Sequence, residues 1–110
     1  RWGASFSVVS TTDPFFAGAG ESKRVYQSLQ GLKHELRMDL PYDGTSTACA
    51  SFNNHQDALT QAYAIAGPAG RHYSGCTGYG FERMAYGLMA QFGVALERWP
   101  ASLREDVLEG

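Results

Sequence analysis

Residues 76–84 read Cys76-Thr77-Gly78-Tyr79-Gly80-Phe81-Glu82-Arg83-Met84, and the spacing of apolar residues changes period within them. From His72 to Phe81 the chain is Gly-rich and reads as extended. From Phe81 onward, Phe81, Met84, Ala85, Leu88, Met89 and Phe92 fall at i, i+3, i+4, i+7, i+8 and i+11, the stripe of an amphipathic helix. Gly93 is a suitable stop for that helix. A Gly-rich strand therefore runs straight into a long helix, with Glu82 and Arg83 in its first turn. A cation there opposes the positive end of the helix dipole, at a cost on the order of a few tenths of a kcal/mol, and Glu82 offsets part of it. An arginine placed against this preference points to another use. Its guanidinium offers a flat cation for stacking on a base and a fork for phosphate. Gly78 and Gly80 let a flat ligand lie close to the backbone. By itself Gly-x-Gly followed by Arg is a weak motif, and plain strand–helix packing is its ordinary explanation.

Upstream, Trp2, Ala4, Phe6 and Val8 alternate with small or polar residues over 2–9, the pattern of a half-buried strand. Thr12-Asp13-Pro14 breaks it. Phe15-Phe16-Ala17-Gly18 follows as an apolar, Gly-rich loop, and Val25, Leu29 and Leu32 suggest a short helix over 21–31. The clearest strand is 32–40, where Leu32, His34, Leu36, Met38 and Leu40 share one face and Lys33, Glu35, Arg37 and Asp39 the other. Pro41-Tyr42-Asp43-Gly44 is a turn, and the Thr- and Ser-rich stretch 45–53 reads as another strand. Asp57 to Ala64 is ambiguous between short helix and strand, Gly67-Pro68-Ala69-Gly70 is a turn, and Pro100 with Leu103, Val107 and Leu108 suggests a last short helix. This order of elements predicts an α+β fold, an antiparallel sheet with flanking helices.

Bulk properties narrow the function. The 110 residues are 44% apolar, enough for a packed core, and carry a net charge of −2 without a basic stripe. Binding to nucleic acid through this segment is not expected. No apolar run approaches the ~20 residues of a membrane span, and no signal peptide is visible. Two cysteines in such a chain suggest reduced thiols and a cytoplasmic setting. Residue 1 is Arg, and a strand-like pattern begins at once, so the sequence is expected to start inside a domain.

Four segments, in order, resemble one family. Cys76 to Met84 resembles motif 3 of class II aminoacyl-tRNA synthetases. Thr47-Ala48-Cys49-Ala50-Ser51-Phe52-Asn53-Asn54-His55-Gln56-Asp57 resembles the strand before motif 3 in seryl-type enzymes, and more closely a segment of the amino acid:carrier-protein ligases. Asp13-Pro14-Phe15-Phe16-Ala17-Gly18 and Leu32-Lys33-His34-Glu35-Leu36 resemble two further segments of those ligases. The resemblance implies that residues 1–110 are the C-terminal portion of a class II catalytic domain, with motif 3 at about 76–93 and motifs 1 and 2 outside this sequence.

The same resemblance implies a function and a set of site residues. ATP and a small amino acid would give an aminoacyl adenylate, and the aminoacyl group would pass to the phosphopantetheine thiol of a carrier protein. Arg83 would contact the adenine and the terminal phosphate of ATP, with Mg²⁺ accompanying the nucleotide. Ala48, Cys49, Ala50 and Ser51 would line the ATP site through backbone and small side chains. Cys76 would be one ligand of a zinc ion that holds the substrate amino group, its other ligands lying outside this sequence; a packed thiol is the plain alternative. No tRNA partner and no membrane are implied, and a homodimer is expected of the intact protein. A seryl-type aminoacyl-tRNA synthetase and a non-catalytic nucleotide-binding paralogue remain open. His34 reads as a core histidine, His55 as a candidate neighbour of the site, and His72 as exposed near a turn. Glu35 and Asp57 are candidates for polar contacts.

Overall fold

The structure, a computed structural model, describes residues 2–11 and 31–109. The Asp13–Gly18 loop and residues 21–30 of the helix expected over 21–31 lie outside the described residues, and Gly31 is in a turn. The strands are β1 (Phe6–Ser10), β2 (Lys33–Leu40), β3 (Thr45–Gln56) and β4 (Ser74–Tyr79), in the sheet order β1-β2-β3-β4. A short helix α1 (Ala58–Ala62) separates β3 from β4, and α2 (Phe81–Phe92) follows β4 after Gly80 alone. A 3-10 turn (Leu96–Arg98), the short α3 (Ala101–Arg104) and a π-helical stretch (Glu105–Glu109) complete the described chain. The fold is α+β with an antiparallel sheet, as the pattern predicts. No helix among the described residues is long and apolar enough to cross a membrane.

The chain divides into two compact units. The first is drawn from Arg1–Ser7, Leu36–Cys49 and Gly80–Gly110. Its buried side chains include Met38, Leu40, Cys49, Trp99 and Leu103. The β2–β3 turn forms because Gly44 takes a φ of +71°, where a side chain would be strained, and Asp43 Oδ1 accepts hydrogen bonds from the Thr45 backbone N–H at 2.9 Å and hydroxyl at 2.7 Å.

Helix α2 is where sequence and structure part. The buried residue of α2 is Gly87, flanked on the same face by half-buried Met84, Leu88 and Gln91, whereas Phe81 is 76% exposed and Met89 is exposed too. The inward stripe therefore keeps Met84 and Leu88 of the predicted one and is rotated away from Phe81, Ala85 and Met89. The reason is close approach: a Cβ on Gly87 would stand 3.0 Å from both Cβ and Sδ of Met38. Gln91 completes that face. Its Nε2 donates to the carbonyls of Ser5 at 2.8 Å and Asp39 at 2.9 Å, and its Oε1 accepts from the Ser5 N–H at 2.7 Å. Gly93 ends the helix with φ +83° and an N–H bonded to the Met89 carbonyl at 2.8 Å. Beyond it Leu103 is fully buried, while Val107 and Leu108 are exposed.

The second unit is drawn from Val8–Glu35 and Ala50–Tyr79. Here β3 and β4 pair antiparallel, with Ala50 opposite Tyr79, Ser51 opposite Gly78, Phe52 opposite Thr77 and Asn53 opposite Cys76. The register shifts between Asn54 and Gln56, where Gln56 has a φ of +50°. The Asp57–Ala64 ambiguity resolves to helix. Asp57 precedes α1, pairs with Arg71 Nε at 3.1 Å and accepts from Gln61 Nε2 at 2.7 Å, a structural use of that carboxylate. His72, expected exposed, is half-buried against Gly67, and its Nε2 is buried without a hydrogen-bond partner among the described residues. Residues 6–10 of β1 are exposed along their length, so the half-buried reading of that strand does not hold for the described residues.

Candidate functional site

In the first unit, the approach from β4 to α2 is fastened at Gly80. Its N–H donates to the Cys49 carbonyl at 2.8 Å, and its own carbonyl accepts the Met84 N–H at 2.9 Å, opening the helix. Arg83 lies one residue before Met84, in the first turn. Its stem runs over Gly80, with Cδ 3.5 Å from where a Cβ would stand, and its Nη1 donates to the Ala48 carbonyl at 3.2 Å. The side chain is exposed, and no carboxylate among the described residues pairs with it. One of the five N–H donors of the fork is committed to β3.

Residues 48–51 are consecutive in β3, so their side chains alternate between its two faces. Cys49 is 1% exposed, and its thiol donates to the Leu36 carbonyl at 3.4 Å. Burial pushes this thiol above its ordinary range. Its side chain lies on an apolar cavity of about 290 Å³ with Leu36, Met38, Met84 and Leu88. The Cys49 side chain is thus turned inward, and its carbonyl already accepts the Gly80 N–H. Ala48 is half-buried.

In the second unit, Ala50 is buried and Ser51 half-buried. Gly78 faces Ser51, and a Cβ on it would come 3.3 Å from Ser51 Oγ, so this glycine answers to its cross-strand neighbour. Cys76 is exposed. Its sulfur lies 3.4 Å from Asn53 Nδ2 and 3.6 Å from His55 Nε2, and His55 Nδ1 lies 3.4 Å from Ser74 Oγ. Asn53 Oδ1 is buried with no partner among the described residues, a cost of about 1–3 kcal/mol in packing terms. Asn53 and Cys76 border a groove of about 400 Å³ that half-buried Leu32 and His34 and exposed Phe52 also line. Among the described residues no three His, Cys, Asp or Glu side chains come together, so Cys49, Cys76 and His55 form no metal cluster. Sequence reading missed Asn53. The signal was its parity with Ser51 and His55 along β3.

No protein-family profile matches the chain. Over 104 residues, 94% of its length, it is 36% identical to amino acid–acyl-carrier-protein ligase 1 of Bradyrhizobium diazoefficiens, covering 32% of that protein. Over the same length it is 32% identical to ligase 2 of the same organism, covering 31% of it. It is also 31% identical over 100 residues to the type-2 serine–tRNA ligase of Methanococcus maripaludis strain S2, covering 86% of this chain and 20% of that protein. The chain spans about a third of the length of the first two relatives. In sequence, over most of its own length, this chain is similar to the amino acid–acyl-carrier-protein ligases and to the type-2 serine–tRNA ligases.

Proposed function

We propose that this chain is the C-terminal portion of a class II synthetase-like catalytic domain, with motif 3 at about residues 76–93. The intact protein would activate a small amino acid with ATP. A carboxylate oxygen of the amino acid bonds to the α-phosphorus as pyrophosphate leaves; the phosphopantetheine thiol of a carrier protein then attacks the acyl carbon and AMP leaves. The observation that carries this reading is Arg83, an exposed guanidinium tethered at 3.2 Å to Ala48 on a strand of small residues. The tether restrains a cation that helix electrostatics alone would not favour, and adenylation is catalysed chiefly by such placed charge. On this reading Ala48, Cys49, Ala50 and Ser51, small residues that follow one another along β3, would line the ATP site. Mg²⁺ accompanies the ATP.

Zinc belongs to the same reading. Cys76 has the chemistry of one ligand: an exposed thiol at a groove, with nitrogen donors beside its sulfur. The remaining ligands come from outside the described residues. Bound there, zinc would supply an open coordination position for an amino group.

Pyrophosphate–ATP exchange by the full chain, with a panel of small amino acids, tests the activation step. Transfer to a carrier protein completes the expected result. Transfer to tRNA instead would favour the second reading, a seryl-type synthetase, which the match to the type-2 serine–tRNA ligase supports. Absence of exchange with every amino acid would leave a non-catalytic nucleotide-binding relative.

A further inference from the structure

We propose that Asn53 and His55 are positioning residues for a metal-bound Cys76 thiolate, each giving an N–H to its sulfur; this rests on the zinc reading above. Asn53 stands directly opposite Cys76 in the β3–β4 register, and His55 lies two residues further along β3. Their nitrogens approach the same sulfur at 3.4 and 3.6 Å. A neutral thiol could give its proton to His55 Nε2, but it is a weak acceptor for the Asn53 amide N–H. A thiolate bound to a metal keeps lone pairs that accept such bonds, and partners of this kind orient the ligand.

The proton positions follow from that assignment. A metal-bound thiolate carries no proton, so the contact to His55 must run from Nε2–H to sulfur. Nδ1 is then the acceptor, and Ser74 Oγ at 3.4 Å is a hydroxyl able to donate to it. The imidazole is thus held from both ends. The Asn53 amide divides its NH₂ between Ser51 Oγ at 3.5 Å and the sulfur, while its oxygen stays buried and unpartnered among the described residues. The two strands are drawn close here, since a Cβ on Gly75 would meet the Asn53 carbonyl oxygen at 2.9 Å.

The test uses the full chain, with Zn²⁺ titrated against a chelator and Co²⁺ substituted for spectroscopy. His55→Ala and Asn53→Ala should each weaken Zn²⁺ binding by about 10–100-fold and shift the sulfur-to-cobalt charge-transfer band. His55→Gln, which keeps an N–H donor, should recover most of both effects. Alanine variants that bind like wild type with an unshifted band overturn the proposal. So does a His55→Gln variant as impaired as His55→Ala, because that marks the imidazole as a direct ligand. Should His55→Ala fail to fold, the band in Asn53→Ala decides. Wild type that binds no zinc, or a Cys76→Ser variant with wild-type affinity, sinks the zinc reading itself and the proposal with it, in an arm separate from the His55 and Asn53 comparison.

Discussion

Replacing Arg83 by alanine should separate binding from scaffolding. On the stability side, the variant loses one exposed hydrogen bond to the Ala48 carbonyl, 3.2 Å long. Such a bond, charge-assisted but solvated, is worth about 0.5–1 kcal/mol after screening. The same change relieves about 0.3 kcal/mol of unfavourable helix-dipole interaction and gains about 0.2 kcal/mol of helix propensity. The net loss of stability should therefore stay under about 1 kcal/mol. On the functional side, a guanidinium that grips ATP loses charge-assisted contacts worth about 2 kcal/mol or more, a drop of about 30-fold in pyrophosphate–ATP exchange at subsaturating ATP. Arg83→Lys should recover part of it, since a point charge replaces a fork. Chemical denaturation and exchange kinetics on the same full-length protein give both numbers. Unchanged ATP dependence in Arg83→Ala would refute the proposed role. A stability loss above about 2 kcal/mol would refute it differently, by making Arg83 part of the framework.

Three further outcomes follow from the packing and the turn chemistry. Leu103→Ala removes a fully buried side chain and should cost about 2–5 kcal/mol in denaturant melts. Gly67→Ala would place a Cβ 2.5 Å from His72 Nε2 and should destabilise by about 1–3 kcal/mol; combining it with His72→Ala should be strongly non-additive, because the clash partner is gone. The hydrogen bond between the Tyr42 and Tyr86 hydroxyls, which holds the Tyr42 proton, pushes the Tyr42 phenol up to about 12, with lesser help from desolvation and Asp43. Its folded value thus lies above the unfolded one near 10, so the stabilisation is complete below about pH 10 and fades as pH rises through about 12. Ultraviolet titration should show this phenol ionising late, and Tyr86→Phe should bring it back toward 10.

Much of the architecture was legible in local pattern. The alternation over 32–40 became β2, with Met38 and Leu40 buried as their parity required. The change of period at Phe81 became the junction of β4 and α2, and Gly93 the helix stop. Arg83 stood out because it sat where helix electrostatics disfavour it, a reason that needs no coordinates. Other features were out of reach. The inward face of α2 was set by Met38 pressing on Gly87, a contact between residues 49 positions apart in sequence. Gln91 looked like a polar residue on a helix surface until three backbone groups of Ser5 and Asp39 met it. Cys49 and Cys76 are chemically identical, yet one is sealed under Leu36 and the other open beside Asn53 and His55. Periodicity is a property of neighbours along the chain, so the sequence by itself determined which residues share a face. Which face is covered, and which polar groups meet there, depends on partners brought together by chain reversal, and only the tertiary structure decided that.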